Sequence, residues 1–251
     1  MNSLIRHIAF TAVLVGFSAS ASAMTVGWSA DLTTTGGGTE VGAGWGNAYT
    51  YTMEGVTAEV TTWYEDDFAN FDISAVSLKA GGSGSCNEPE NGNVNNCLSG
   101  DNASRLDNKS QREFLLIHFD PVTAGTKITY DSLSVFTPKN EEYELTYWIG
   151  NLTSSSQLTG VGSDPVASLG FQLGGTLSYA PADNSKVDHI ETHLSLSALE
   201  GNALLIGFSP TSTVTSEVYI NGITATVPLP APLLLFISGL GVFSMFRKKA
   251  A

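Results

Sequence analysis

Alternation is the dominant pattern along the chain. In Val56-Thr-Ala58-Glu-Val60-Thr-Thr62-Trp63-Tyr64, side chains of different character change places step by step, the period of a strand with one buried face. Over 143–149, Tyr143, Leu145, Tyr147 and Ile149 fall on one face, and Glu144, Thr146 and Trp148 on the other. Glu113-Phe-Leu-Leu-Ile-His-Phe119 is instead a nearly unbroken apolar run stopped by Asp120-Pro121, the pattern of a central strand covered on both faces. Further strands are predicted over 128–136, 167–173, 187–196, 203–208 and 214–226, with breaks at Thr123-Ala-Gly125 and Pro138-Lys-Asn140. Residues 26–47, rich in Gly and Thr, read as an irregular lead-in or an edge strand. Helical spacing is limited to at most one turn near 194–199, which disfavours an α/β enzyme fold. With no internal repeat and no dividing linker, residues 24–226 are expected to form a single all-β domain, an antiparallel β-sandwich of jelly-roll type.

The chain has 251 residues, 42% of them hydrophobic and only 14% charged. That is long enough for one sizeable core, and the composition suits strands and turns better than amphipathic helices. The net charge is −13, from 11 Lys and Arg against 24 Asp and Glu, so a basic nucleic-acid interface is excluded as a partner surface.

Both ends depart from the strand pattern. Residues 1–23 place Arg6 and His7 before an apolar run over 8–17, and finish in Ala21-Ser22-Ala23. This is the layout of a secretory signal peptide cleaved after Ala23; the apolar run is about half the ~20 residues of a spanning helix. At the other end, Val227-Pro228-Leu229-Pro230-Ala231 leads into an apolar stretch over 232–246, closed by Arg247-Lys248-Lys249. As a helix, fifteen residues reach ~22 Å, near the ~30 Å hydrocarbon core once 229–231 are added. A C-terminal transmembrane helix is therefore expected, with the basic cluster on the cytoplasmic side. Neither end holds an acid, so residues 24–226 keep 7 basic against 24 acidic residues and a net charge of −17.

The order of the tail, a proline-containing signature, an apolar segment and a basic cluster, resembles the VPLPA variant of the PEP-CTERM sorting signal of exosortase-dependent bacterial surface proteins. The resemblance covers residues 227–251. It implies processing by exosortase near 227–231, from an inner-membrane-anchored precursor to the cell surface or extracellular matrix of a Gram-negative bacterium that makes exopolysaccharide. Arg105-Leu-Asp-Asn108, the run from Glu113 to Val122, Tyr147-Trp-Ile-Gly150 and Leu205-Ile-Gly-Phe208 resemble the same group in pattern, without an active-site motif.

Candidate chemistry in the middle of the chain is sparse. Cys86 and Cys97 bracket an Asn-rich segment; in an exported chain a disulfide between them is expected, worth roughly 3 kcal/mol. His189, Glu191 and His193 share one face of a predicted strand, opposite Ile190, Thr192, Leu194 and Leu196. The polar face is read as wet, in preference to a weak metal site, because HExxH is absent. His118, inside an apolar run, reads as a hydrogen-bonded core histidine. Acids cluster at Glu65-Asp66-Asp67, over 101–107, and at Glu141, Glu142 and Glu144. These are read as solvated, with calcium as the one cation their oxygens would suit and no cofactor otherwise expected. Trp63, Tyr64, Trp148 and Tyr179 are candidates for a sugar-stacking platform, with packing the favoured reading. Asn102, Asn108 and Asn151 stand in glycan-acceptor triplets, read as chance occurrences. G-x-S-x-G, Walker A and GxGxxG motifs are absent. The expected function is that of an exported, non-enzymatic surface or matrix protein linked to exopolysaccharide or biofilm; a carbohydrate-binding module is the alternative, and a secreted hydrolase the third reading.

Overall fold

The computed structural model describes residues 25–42, 45–65, 70–79, 82–86, 105–108, 111–120, 127–161, 168–183, 185–196, 199–208, 212 and 217–228. Residues 27–227 form one compact unit. The described residues make an all-β domain whose strands are β1 (Thr25–Asp31), β2 (Thr39–Val41), β3 (Ala48–Met53), β4 (Val56–Glu65), β5 (Phe71–Lys79), β6 (Gly82–Cys86), β7 (Leu106–Asp107), β8 (Glu113–Asp120), β9 (Thr129–Thr137), β10 (Tyr143–Gly150), β11 (Gln172–Tyr179), β12 (His189–Leu194), β13 (Ala203–Phe208) and β14 (Glu217–Pro228).

The strands belong to two sheets that share one strand. In the first the order is β11-β10-β13-β8-β4, with β3 and the first half of β5 beside successive halves of β4. The second contains the later half of β5, then β6, β14, β9 and β12. Strand β5 changes partner part-way: residues 71–74 pair with β4, and residues 75–79 with β6. The hydrogen-bonded path therefore runs from β11 to β12 as an open chain of strands, and these two terminal strands are not paired with each other. This corrects the jelly-roll expectation, since neither sheet closes or curls on itself. The link that alternation could not show is β6, Gly-Ser-Gly-Ser-Cys, which has no large apolar residue yet is buried throughout. Gly82 stands at φ +137°, where a Cβ would lie 2.4 Å from the Ile220 carbonyl oxygen, so a larger residue there would push β6 away from β14.

The apolar run of β8 lies centrally, paired with β4 on one side and β13 on the other, and its residues 113–119 are buried. One face supplies the layer between the sheets, where Phe119 meets the Trp28 ring edge-on at 4.8 Å and Tyr130 at 6.1 Å. The opposite face carries Phe114 and Leu116, which pack with Trp63, Phe71, Trp148 and Leu205 under Leu152, Leu158 and Phe171. Each such side chain contributes ~1.5–3 kcal/mol by leaving water. Residues between β10 and β11 thus form a lid over the outer face of the first sheet. A short 3-10 turn, Ser155–Leu158, holds that lid through a capping box in which Gln157 accepts from the Ser154 backbone N–H at 3.3 Å.

The lid is tied to the sheet by Asn202. Its Oδ1 accepts from the Leu152 N–H at 2.8 Å, and its Nδ2 donates to the Leu152 carbonyl at 2.8 Å. His118 Nε2 lies 3.2 Å from the same carbonyl, which requires the proton on Nε2. His118 is therefore a buried, hydrogen-bonded core histidine, as its place in an apolar run implied.

Two boundaries differ from the sequence reading. The strand expected over 167–173 is instead β11 at 172–179, because Gly174 and Gly175 sit within it rather than ending it. A Cβ on Gly174 would fall 2.1 Å from Tyr147 Cε2, so Gly174 gives the Tyr147 ring room where the β10–β11 register shifts. Residues 187–196 shorten to β12 at 189–194, and its faces are reversed relative to expectation. His189, Glu191 and His193 turn partly inward, while Ile190, Thr192 and Leu194 are exposed.

No helix among the described residues is long and apolar enough to cross a membrane. The spanning helix expected in the tail, and with it the inner membrane as a partner and localisation as an inner-membrane-anchored precursor, is not among the described helices, and residues 229–251 lie outside the described residues. The last described segment reaches Pro228 as extended strand β14, with Val227 buried. Leu229, Pro230, Ala231, Arg247, Lys248, Lys249 and Ala23 lie outside the described residues. No disulfide joins two described residues either: Cys86, buried at the end of β6, is disulfide-bonded, and Cys97 lies outside them.

Candidate binding site

Where the two terminal strands approach, aromatic side chains rather than backbone bonds join the sheets. The Tyr179 ring of β11 stacks on the His189 ring of β12 at 4.4 Å and 13°. Next to it, Tyr143 of β10 meets the His193 ring edge-on at 6.0 Å. The Tyr143 hydroxyl lies 2.6 Å from His193 Nε2. Burial pushes the Tyr143 hydroxyl well above the usual phenol range, reinforced by the Glu191 carboxylate and Tyr179. It therefore keeps its proton. Burial likewise holds the His193 imidazole below its ordinary value, with Glu191 opposing that shift. His189 Nε2 contacts Glu191 Oε2 at 3.1 Å.

A pocket of about 300 Å³ opens beside the Tyr179–His189 stack, lined also by Asn140, Asp183, Ser185, Val187 and Asp188. Its floor is the turn after β9, where Lys139 and Asn140 both have positive φ, 58° and 55°. Consecutive left-handed residues other than glycine are held only by surrounding contacts. Those contacts come from the β11–β12 connection: Asp188 Oδ1 accepts from the Lys139 N–H at 3.0 Å, and Asn140 Nδ2 donates to Ser185 Oγ at 2.9 Å and, more weakly, to Asp183 Oδ1 at 3.4 Å. Tyr179 donates its hydroxyl to Asn140 Oδ1. The Ser185 backbone N–H, 2.9 Å from Asp183 Oδ1, and the Ser185 side chain hold that carboxyl below its usual range.

The pocket therefore offers a fixed amide, an ionised carboxylate in Asp183, a second acidic side chain, a hydroxyl and the edge of a ring stack, with Val187 as an apolar wall. Asn140, Asp183, Ser185 and Asp188 were not singled out in sequence. The available signal was a polar, proline-containing connection, residues 180–188, facing a Pro-Lys-Asn turn.

Of the aromatic candidates, Trp63, Tyr64 and Trp148 are buried, and only Tyr179 borders the pocket. Trp63 Nε1 donates to Thr61 Oγ1 at 3.0 Å and the Tyr64 hydroxyl to Asp72 Oδ2 at 3.2 Å, so packing accounts for both. Among the described residues, no group of three or more His, Cys, Asp or Glu could hold a metal ion. Of the acidic clusters, Glu65 pairs with Arg112, Asp66, Asp67 and Asp101 lie outside the described residues, and Glu141, Glu142 and Glu144 line no described pocket. No family model matches the chain, and no curated protein matches it. The resemblance of residues 227–251 to a sorting signal accordingly rests on those residues alone.

Proposed function

We propose that this chain is a non-enzymatic polysaccharide-binding protein and that the pocket beside Tyr179 and His189 takes one sugar residue of the chain. The observation that carries the reading is the convergence of Asn140, Asp183, Ser185 and Asp188 on one side of a stacked ring pair. A sugar presents adjacent hydroxyls that donate and accept together, which carboxylate and amide oxygens match, and an apolar C–H face that packs against the edge of the ring stack and Val187. The volume, about 300 Å³, is at the lower end for ligand sites and suits a single ring. Hydrolysis is the weaker reading: a glycosidase needs a carboxyl kept protonated as the acid, and Asp183 is held in the ionised form instead.

The test is a glycan array followed by titration calorimetry on the full chain. Binding of a polysaccharide fragment, weakened about tenfold or more by Asp183→Ala and by Tyr179→Ala, is expected, as for loss of a charged hydrogen bond or a stacking ring. No bound glycan, or affinity unchanged in both variants, would overturn it. Exosortase-dependent sorting through Val227 to Ala231 is proposed on the tail sequence alone. Its check is C-terminal peptide mapping of the native protein beside an exosortase-deficient strain, where an intact tail in both strains would remove it.

A further inference from the structure

Among the described residues, three well-exposed large apolar side chains lie on or beside the edge formed by β12. Strand β12 pairs, among the described residues, only with β9, and Val187, Ile190 and Leu194 are 70%, 52% and 76% exposed. Strand β12 contains no proline or lysine and no bulge against β9, features by which edge strands avoid pairing with other chains. The backbone phase also follows from the structure. Ser195 N–H donates to the Asp131 carbonyl at 2.7 Å, continuing the register that sets His189 opposite Thr137 and His193 opposite Leu133. Antiparallel alternation then commits His189, Glu191 and His193 to bonds with β9, and directs the N–H and C=O of Ile190, Thr192 and Leu194 to the free edge.

We infer that β12 pairs antiparallel with β12 of a second copy of this chain about a two-fold axis at Thr192, joining the two molecules through a continuous sheet. In this register Ile190 stands opposite Leu194 of the other copy on the exposed face, and Thr192 opposite its own counterpart. Every free backbone group of Ile190, Thr192 and Leu194 then meets a partner. On the inner face Glu191 stands opposite His193 of the other copy. An imidazole N–H of His193 is a donor suited to that carboxylate. The neighbouring two-fold registers lack this match: centring on Glu191 opposes two carboxylates, and centring on His193 opposes two imidazoles. An odd shift would set inner against outer residues. Complementarity of the strand with itself selects a second copy as the occupant of this edge, in the isologous manner of two-fold dimers.

The register makes the test specific. A hydrogen-bonded antiparallel pair sets Cα atoms ~5.5 Å apart, within disulfide reach. The full-chain Thr192→Cys variant, treated with diamide, should form a covalent dimer on a non-reducing gel. Ile190→Cys and Leu194→Cys should each remain monomeric alone and cross-link when mixed. In sedimentation the unmodified chain should shift from one copy towards two as concentration rises, and Thr192→Pro, which removes an outward N–H, should weaken that association at least tenfold. A monomer at every concentration with no cross-link from Thr192→Cys would overturn the inference. So would Ile190→Cys cross-linking to itself as fast as Thr192→Cys. Should Thr192→Pro lose its β-sheet circular dichroism, the cysteine variants decide alone.

Discussion

Replacing Asn202 by alanine tests whether one buried amide holds the outer lid to the sheet. Asn202 is almost fully buried, and its side chain makes both bonds to the Leu152 backbone, each 2.8 Å. Truncation leaves the Leu152 N–H without this acceptor, a cost of ~1–3 kcal/mol for a buried donor. The Leu152 carbonyl keeps the His118 Nε2–H at 3.2 Å, so its loss is closer to the ~1 kcal/mol of a net hydrogen bond. Together the change should destabilise the domain by about 3 kcal/mol, or roughly 6–12 °C in Tm for a domain of this size. The main-chain bond from Phe119 N–H to the Asn202 carbonyl, 2.9 Å, is untouched, so β8 and β13 should stay paired. Urea unfolding followed by tryptophan fluorescence measures the loss. The expected result is a lower midpoint at unchanged slope. Asn202→Asp should restore only part of the stability, because it keeps the acceptor for the Leu152 N–H but sets an oxygen against the carbonyl. A loss below ~1 kcal/mol for Asn202→Ala would refute the reasoning, since it would mean that water satisfies Leu152 as well as Asn202 does.

Gly174→Ala should destabilise by ~1–3 kcal/mol, as overpacking does, because its Cβ would enter the Tyr147 ring; Tyr147→Leu in the same chain should recover part of that loss, measured by urea titration. The imidazole of His193 is depressed in the fold, so between its folded and unfolded values the unfolded chain binds more protons. Its contribution to stability is therefore fully present above about pH 6.5 and is lost as pH falls towards the folded value. Urea midpoints from pH 8 to 5 should show that decline, and His193→Gln should flatten it; an identical decline in the variant would assign it to other groups.

Several features of this protein follow from local chemistry and were legible along the chain. Alternation over 56–64 and 143–149 corresponds to β4 and β10, and 203–208 coincides with β13. The unbroken run at 113–119 could only be a strand covered twice, because leaving either apolar face in water would forfeit its burial. His118 in that run needed a hydrogen-bond partner, and Leu152 supplies it.

The rest depended on partners distant in sequence. Strand β6 has no hydrophobic signal, because its place is set by the backbone of Ile220 passing over Gly82 rather than by its side chains. The open path through β5, in place of a closed jelly roll, is a pairing choice, and period-two alternation reports which face is buried but not which strand lies alongside. The facing of β12 reversed for a related reason. Its apolar side chains would ordinarily turn inward, but Tyr143 and Tyr179 occupy the interior beside that edge and supply a hydroxyl and a ring face to His193 and His189. The pocket arose from the same meeting of residues 40 and more positions apart, Asn140 with Asp183 and Ser185. No local pattern encodes such a meeting; only the return of the chain from β11 to β12 brings those polar groups onto one strained turn.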